Sequence, residues 1–416
     1  MSMLPMEKLG ELIEVRHGFA FSSQHFVDRG PYVLLTPGNF YDEGGFKSRD
    51  AQKFYDGPVP AQFALKPGDL LVAMTEQAEG LLGSAAFVPP GPVCLHNQRL
   101  GLVRPRDGVD VDLRYIYYLF NSRAVRQQIR ASASGTKIRH TAPNRIYDVN
   151  IPRIPLTDQL RIASILGAYD DLIEVNRQRV ALLEDMARGL FEEWFVQFRF
   201  PGYDAVPMVD RQEGPLPEGW RWSSFGELVG EVRDGVSPTD LPAETPYVGL
   251  EHIPRRSTTM TEWGRAEDVG SLKLSFQRGD VLFGKIRPYF HKVVWAPFDG
   301  IASSDAIIYR PHQPHLAAMS LAVASSDGFV ATSVQTSNGT KMPRANPKVL
   351  KAYRVATDDG KWASRFGLAM LPTIELAASL AAANHRLAAS RDLLLPRLIS
   401  GQLSVAVAER ELLEAA

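Results

Sequence analysis

The strongest constraint on the fold of this chain is a long internal repeat. Gly68-Asp69-Leu70-Leu71 returns as Gly279-Asp280-Val281-Leu282, and Gly135-Thr136-Lys137 returns as Gly339-Thr340-Lys341. Each copy then runs into a helical pattern, over residues 157–198 in the first copy and about 363–403 in the second. An offset of about 200 residues is too long for a solenoid unit and fits a whole domain plus a helix. The repeat therefore predicts two similar globular domains, each followed by a long helix.

Composition excludes several classes of protein. The 416 residues carry 46 basic and 47 acidic side chains, so no global field indicates a nucleic-acid partner, and any such signal must be local. The single cysteine, Cys94, cannot form an intrachain disulfide and is predicted to be buried and inert in a strand. The N-terminus has no basic-then-apolar signal pattern, and no run of about 18 apolar residues occurs. We expect a cytoplasmic protein with no membrane partner.

Each repeat predicts a mixed fold of the α+β class. Strand patterns at residues 32–35, 69–74 and 84–88 are bounded by glycine and proline turns, and a helical pattern follows near residues 113–131. The segments expected from these patterns are a first domain at 1–155, a central helix at 156–200, a second domain at 201–362, a distal helix at 363–404 and a frayed tail at 405–416.

The central helical pattern is too long for one small core. Thr157 is a plausible N-cap, and about 40 residues at 1.5 Å each give a rod of about 60 Å that needs a partner helix. The distal pattern supplies that partner through Leu376, Leu380, Ala383, Leu387, Leu394 and Leu398, with Pro396 expected to kink or fray its last turns. Asn176 and Asn384 hold matching places, either buried at the seam and fixing register or solvated on the polar face.

Catalytic motifs are absent from the sequence. Residues 279–285 fit the first part of a phosphate-binding loop, but Ile286 replaces the hydroxyl that holds magnesium, and the middle residues favour a strand. Asp69 and Asp280 precede strands, where aspartate caps its own backbone. His96 and His140 are interpreted as loop donors rather than metal ligands. The sequence therefore predicts a protein that is not an enzyme and holds no metal.

Two local basic clusters point to nucleic acid. Between residues 113 and 153 there are eight basic side chains against Asp148 alone, and five between 336 and 354 without any acid. Both clusters surround a Gly-Thr-Lys turn, and glycine lets the backbone approach a phosphate while arginine and asparagine can read base edges. Elsewhere the repeats differ, as where Lys285 and Arg287 stand opposite residues 73–76. The predicted DNA-binding residues are Gly135, Thr136, Lys137, Arg139, Asn144, Arg145, Lys285, Arg287, Gly339, Thr340, Lys341, Arg344 and Lys348.

With these residues in place, the chain resembles the specificity subunit of type I restriction–modification enzymes. The most specific stretch is residues 154–195, which is similar to the central conserved region of that family, and residues 391–401 resemble its distal copy. Residues 18–23 and 36–40 look like pieces of its target recognition domains. One departure is the alanine-rich distal helix, which suggests that the two helices bind their partner subunits with unequal strength.

The resemblance implies a non-catalytic DNA reader. Two target recognition domains would each read half of a bipartite, asymmetric site in double-stranded DNA, and two long helices would form an antiparallel coiled coil that spaces them. Two modification (methyltransferase) subunits would dock on the helices, and restriction subunits would add translocation and cleavage. S-adenosylmethionine, ATP and magnesium would then be bound by those partners, with no cofactor on this chain. The residues assigned to docking are Asp170, Asp171, Asn176, Arg177, Phe191 and Trp194.

Two other classes of protein stay open on the sequence. A protein–protein scaffold with two adaptor heads on a coiled coil would need no DNA, and the basic turns argue against it. An enzyme with a fused modification activity would need an S-adenosylmethionine loop and an adenine-methylase tetrapeptide, and neither is found in the sequence. Salt-dependent binding of duplex DNA by the purified complex distinguishes the scaffold from the reader.

Overall fold

The computed structural model of the chain describes residues 4–47, 52–76, 80–135, 138–339 and 341–415. Thr136, Lys137 and Thr340 of the predicted turns lie outside the described residues. The chain forms two compact units: the first comprises Met1–Asp171 with Ala389–Ala416, and the second comprises Leu172–Ala388. Each long helix therefore contributes residues to both units.

The described residues of the first unit form three sheets. The order of the four-stranded antiparallel sheet is Ile13–His17, Leu100–Pro105, Leu70–Ala73 and Ala85–Phe87. The order of the five-stranded sheet is Phe26–Val27, Phe54–Tyr55, Tyr32–Leu34, Val93–Leu95 and Ala64–Leu65, in which the third and fourth strands are parallel. The short strands Met6–Lys8 and Asn150–Pro152 pair antiparallel. The strands predicted at residues 32–35, 69–74 and 84–88 are thus present.

The second unit repeats this arrangement. Its four-stranded antiparallel sheet has the order Val229–Val232, Ala306–Pro311, Val281–Gly284 and Val293–Trp295. Its five-stranded sheet has the order Gly235–Val236, Lys273–Phe276, Gly300–Ala302, Pro246–Val248 and Gly264–Arg265. Two further pairs are Arg221–Ser224 with Arg354–Thr357 and Met208–Val209 with Leu216–Pro217. Four strands of each five-stranded sheet correspond, but the additional edge strand is at opposite ends of the two sheets.

Helices cover the four-stranded sheets. Those of the first unit are Leu9–Leu12, Leu113–Asn121, Arg123–Ala131, Pro143–Tyr147 and Val405–Ala415. Those of the second unit are Ala317–Ala324, Asp327–Gln335 and Pro347–Lys351. The single helix predicted near residues 113–131 is two helices, because Ser122 ends one and its hydroxyl accepts from the amide of Val125 to cap the next.

Alternation of side chains explains why the central strands are apolar throughout. Leu70 and Val72 point into the core under the helices, whereas Leu71 and Ala73 point into the core shared with the five-stranded sheet. Side chains of a strand alternate between faces, so a sheet that is covered on both faces selects an unbroken apolar run. The strand Val281–Gly284 of the second unit follows the same rule. The four-stranded sheet is therefore the middle layer of each repeat.

The long helices differ in detail from the prediction. The central helix is Leu156–Phe191, which begins before the expected N-cap Thr157 and continues as a π turn over Glu192–Val196. The distal helix is Lys361–Ile399 and runs past Pro396, so its last turns continue instead of fraying there.

The end of the chain also differs from the expected frayed tail. It forms the helix Val405–Ala415, because Val405 and Ala408 are buried in the first core. An ion pair of 2.6 Å between Arg161 Nη2 and Glu409 Oε2 links this helix to the central helix. The first core therefore extends to the C-terminal helix.

The helices pair in antiparallel fashion within the second unit. The ring centroids of Trp194 and Trp362 are 5.5 Å apart, and Asn176 Nδ2 donates to Asn384 Oδ1 at 2.9 Å. Asn384 Nδ2 in turn donates to the carbonyl of Ile173 at 3.1 Å. Asn176 is 4% exposed, which confirms the reading in which it is buried at the seam. A buried polar pair of this kind fixes register, because slippage would leave both amides without partners.

The leucine stripe predicted for the distal helix is partly wrong. Leu376 is 50% exposed, and Ala377 and Ala381 are buried instead. Alanine allows closer approach of two backbones than leucine, so small residues can form a seam that a search for large apolar side chains misses.

The distal helix is also unusually apolar. An 18-residue window within Lys361–Ile399 has a mean hydropathy of 1.6, so the helix is long and apolar enough to cross a membrane by length and composition. The pair of Pro314–Ala324 and Asp327–Gln335, bent by 61°, passes the same test only if it is taken as one span. In this fold Phe366 and Met370 of the distal helix are buried in the core of the second unit, which accounts for part of its apolar character.

Candidate nucleic-acid interface

Two hairpin turns carry the Gly-Thr-Lys motifs, and we call them the first basic turn (residues 134–140) and the second basic turn (residues 338–344). Ser134 and His140 exchange both backbone hydrogen bonds, at 2.9 and 2.8 Å, and Asn338 and Arg344 do the same at 3.0 and 2.9 Å. Gly135 has φ 98° and a Cβ there would lie 2.2 Å from the carbonyl oxygen of Ile138. The turn geometry therefore requires glycine at this position, independently of any contact between the backbone and a phosphate.

Each basic turn is hydrogen-bonded to the end of a central strand. In the first unit, the amide of Thr141 donates to Met74 and that of Glu76 donates to Arg139, both at 2.9 Å. The structure thus brings together segments that are more than 60 residues apart in sequence.

The second unit reproduces this pair of bonds. The amide of Ala345 donates to Lys285 at 2.9 Å, and that of Arg287 donates to Pro343 at 2.8 Å. The matching bonds align Met74 with Lys285 and Glu76 with Arg287. This register differs by one residue from the alignment that the sequence suggested.

The described arginines at the first basic turn have partners within their own unit. The Glu76 carboxylate is 11% exposed and lies 3.8 Å from Arg130 Nη2 and 3.8 Å from Arg139 Nε. Arg145 Nη1 donates to the Ser134 hydroxyl at 2.9 Å, which ties the turn to the helix Pro143–Tyr147. Asn144 is exposed on that helix. Arg139 and Arg145 therefore have intramolecular partners, which orient them.

Several other arginines of the first cluster are occupied elsewhere. Arg114 pairs with Asp171 at 2.6 Å, and Arg153 Nε lies 3.9 Å from a Glu7 carboxylate oxygen. Arg126 donates to the carbonyl of Gly80, and burial lowers its pKa to about 10. The count of basic residues in sequence therefore overstates the charge that this unit offers to a ligand.

Several basic side chains in and around the second basic turn have no acidic partner. Within the described part of the chain, no acidic side chain lies within ion-pair distance of Lys285, Arg287, Lys341 or Lys348. Arg344 is the exception, with its Nη2 3.8 Å from Asp305 Oδ1. An anionic ligand would meet several cations here that have no competing partner.

The residues assigned to partner docking all have contacts inside the chain. Asp170 accepts from the Tyr118 hydroxyl and from Arg391, both at 2.6 Å. The other contacts are Asp171 with Arg114 at 2.6 Å, Asn176 with Asn384 at 2.9 Å, Arg177 with Glu174 at 3.9 Å, Phe191 with Phe195 at 5.6 Å between ring centroids, and Trp194 with Trp362 at 5.5 Å. These residues build the helical framework, and their role in docking stays a prediction.

The two aspartates of the Gly-Asp motifs have structural roles. Asp69 Oδ2 accepts from the amide of Lys66 at 2.9 Å, and Asp280 Oδ2 accepts from that of Gln277 at 2.8 Å, as expected for turn caps. Each also binds an arginine that sequence reasoning missed, Arg104 at 2.7 Å in the first unit and Arg310 at 2.8 and 2.9 Å in the second. Alignment of the two Gly-Asp motifs could have found these arginines, since both follow at similar offsets.

The histidines and the cysteine that the sequence analysis named all lie in the first unit. His96 is buried and hydrogen-bonded to the carbonyl of Leu100 at 2.9 Å, and burial lowers its pKa. His140 Nδ1 lies 3.2 Å from the Thr75 hydroxyl. Cys94 is a buried free thiol whose pKa is raised by burial. Among the residues that the structure describes, no three side chains of the His, Cys, Asp and Glu types are grouped to hold a metal.

Comparison with known proteins identifies this architecture. Residues 4–185 match the family of the type I restriction modification DNA specificity domain. The fold is similar to that of the type I restriction–modification S subunit from M. genitalium, with a TM-score of 0.56 and 14% identity over 95% of this chain and 96% of that one. Residues 4–185 thus carry a DNA specificity domain of the type I restriction–modification kind. The chain is similar to specificity subunits of type I restriction enzymes over parts of its length, and to one such subunit in its fold.

Curated relatives match over shorter stretches. The MjaIX specificity subunit of Methanocaldococcus jannaschii is 26% identical over 162 residues, which are 38% of this chain and 37% of that protein. The EcoDI specificity subunit of Escherichia coli is 24% identical over 229 residues, or 50% of each chain. The chain therefore spans about two fifths to one half of the length of these relatives.

Proposed function

We propose that this chain is the non-catalytic DNA-reading subunit of a type I restriction–modification complex, in which each repeat reads half of a bipartite, asymmetric site. The observation that carries the proposal is the pair of basic turns, each hydrogen-bonded to the end of a central strand by the same two backbone bonds. Equivalent backbone geometry with different side chains suits a common hold on the DNA backbone and separate readout of bases.

The proposed partners are duplex DNA, two modification subunits and restriction subunits. S-adenosylmethionine, ATP and magnesium would be held by those subunits, and the complex would act in the cytoplasm. The test is to express the chain with its modification subunits and to sequence the methylated positions of the host DNA. A bipartite adenine-methylated motif supports the proposal. Methylation without a motif, or no salt-dependent shift of duplex DNA by the purified complex, favours the protein–protein scaffold instead.

The Lys341 ammonium is expected to contact a DNA phosphate. Replacement by alanine should weaken binding to all sequences alike and lower the slope of log K against log salt concentration by about one. Fluorescence anisotropy over a salt series measures this slope. Lys66→Ala is the matched control. Lys66 lies before the strand Leu70–Ala73, and the first basic turn is hydrogen-bonded to the opposite end of that strand, so Lys66 lies away from the basic turn. An unchanged slope for Lys341→Ala removes this lysine from the interface.

Helix length is expected to set the spacer between the two half-sites. Insertion of about four residues, or one turn of 5.4 Å, after Val180 and after Leu380 should lengthen the spacer of the methylated motif by roughly two base pairs. Both helices are extended so that they remain matched in length. Motif sequencing gives the result, and an unchanged spacer from a complex that still methylates its site would reject the idea.

A further inference from the structure

One surface loop of the second unit differs from the first unit in charge, since Lys285 and Arg287 stand where the first unit has Met74 and Glu76. It spans residues 285–291, directly after the strand Val281–Gly284. Arg287 and His291 both have left-handed backbones, with φ 50° and 52°, on either side of the turn Pro288–Phe290. A residue other than glycine is strained in the left-handed region of backbone conformation. Such strain persists where the surrounding structure holds the residue in place.

Hydrogen bonds hold the strained residue in place. The amide of Arg287 donates to Pro343 of the second basic turn, and the amide of Phe290 donates back to the carbonyl of Arg287 at 2.9 Å. The guanidinium itself is at the surface, and no acidic side chain of the described residues lies within ion-pair distance of it. The backbone of Arg287 is therefore fixed while its side chain is available.

The same loop presents an aromatic ring. Tyr289 is 51% exposed, and its ring packs edge-on against Phe290 at 4.8 Å between centroids. Phe290 is covered in turn by the Arg255 guanidinium, 3.9 Å from its ring centre. The Tyr289 ring is thus packed against Phe290 on one side and exposed on the other, and exposed aromatic side chains of this kind are common at recognition surfaces.

The first unit places an acid where the second places Arg287. The equivalence rests on the matching backbone bonds from Glu76 to Arg139 and from Arg287 to Pro343. Glu76 is mostly buried between Arg130 and Arg139, so it positions two guanidinium groups and does not itself face a ligand. The two units therefore cannot read a base with the same side chain at this position.

We propose that Arg287 is a specificity-determining residue that reads a guanine in the half-site bound by the second unit. An arginine can donate two parallel hydrogen bonds to the O6 and N7 of guanine in the major groove, which no other base offers in that geometry. In the first unit the corresponding residue is Glu76, and Arg139 corresponds instead to Pro343 of the second unit. This inference rests on the proposed function, because it names the base that one repeat reads.

The test compares Arg287→Lys and Arg287→Gly in the complex with modification subunits. Both variants should lose the preference for guanine at one position of the second half-site by about tenfold to a hundredfold, with the first half-site unchanged. Lysine keeps the charge without the two-pronged geometry, so Arg287→Lys should retain the salt slope of the wild-type complex. Glycine relieves the backbone strain, so Arg287→Gly should melt at the same temperature as the wild type or higher.

Sequencing of methylated sites from a library with randomised half-sites measures the preference at each position. Arg278→Ala is the matched control, since Arg278 is an exposed arginine that precedes the same strand at its other end. The inference is overturned if the wild-type complex methylates a bipartite motif and the Arg287→Lys complex methylates the same motif. That outcome leaves the proposed function standing. A wild-type complex that methylates without any motif overturns both.

Discussion

Replacement of Asp280 by alanine is expected to lower the free energy of unfolding of the second unit by about 3 kcal/mol. The Asp280 side chain is 2% exposed, and it accepts two bonds from Arg310 and one from the amide of Gln277. Its removal leaves a partly buried guanidinium without its counter-charge and the turn without its cap. Losses of this size are expected when one partner of a buried pair is removed.

Tryptophan fluorescence during urea unfolding measures this loss. All six tryptophans belong to the second unit, namely Trp194, Trp220, Trp222, Trp263, Trp295 and Trp362. Asp210→Ala is the control, because Asp210 is an exposed aspartate of the same unit and surface substitutions change stability by about 0.5 kcal/mol at most. A loss below about 1 kcal/mol for Asp280→Ala would show that the pair contributes little beyond a surface ion pair.

Arg391→Ala should destabilise the first unit by a similar amount, about 3 kcal/mol. The Arg391 side chain is 14% exposed and its Nη1 donates to Asp170 Oδ1 at 2.6 Å, while the Tyr118 hydroxyl occupies the other carboxylate oxygen. This chain of contacts joins the distal helix to the helix Leu113–Asn121. Truncation of the arginine leaves the Asp170 carboxylate in a poorly solvated place with one neutral donor.

Hydrogen exchange of peptides from residues 113–121 and 389–399 reports the stability of this contact. The variant should lose protection there, and Arg397→Ala, an exposed arginine on the same helix, should not. The double variant Asp170→Ala with Arg391→Ala should lose less than the sum of the single changes, by about 1–3 kcal/mol, because each single change leaves one charge unpaired. Strict additivity would mean that the two side chains stabilise the unit independently.

The sequence predicted the scaffold well because its signals are local. The strand at residues 69–74 is marked by a Gly-Asp turn and an apolar run, and Asn176 is marked by its place in a long heptad-like pattern. Both are confirmed. The burial of Ala377 and Ala381 is not predictable from the sequence, because a helix carries alanine equally well at buried and at surface positions.

The candidate site was less predictable, since it depends on contacts between distant segments. The relation of Glu76 to Arg139 follows from a pair of backbone bonds across more than 60 residues, which no local pattern encodes. The charge count around the first basic turn was correct, but the acids that neutralise it lie outside the counted stretch, as Glu7, Glu76 and Asp171 do. Net charge in sequence therefore gives an upper bound on the field at such a surface.

The additional edge strands make the exposed edges of the two five-stranded sheets unlike. Four strands correspond in order between the repeats, whereas Phe26–Val27 extends the first sheet beside Phe54–Tyr55 and Gly235–Val236 extends the second beside Lys273–Phe276. The opposite edge is formed by Ala64–Leu65 in the first sheet and by Gly264–Arg265 in the second. Because the edge of a sheet is where a further strand can pair, a segment that adds to one repeat by strand pairing would not find the same edge in the other.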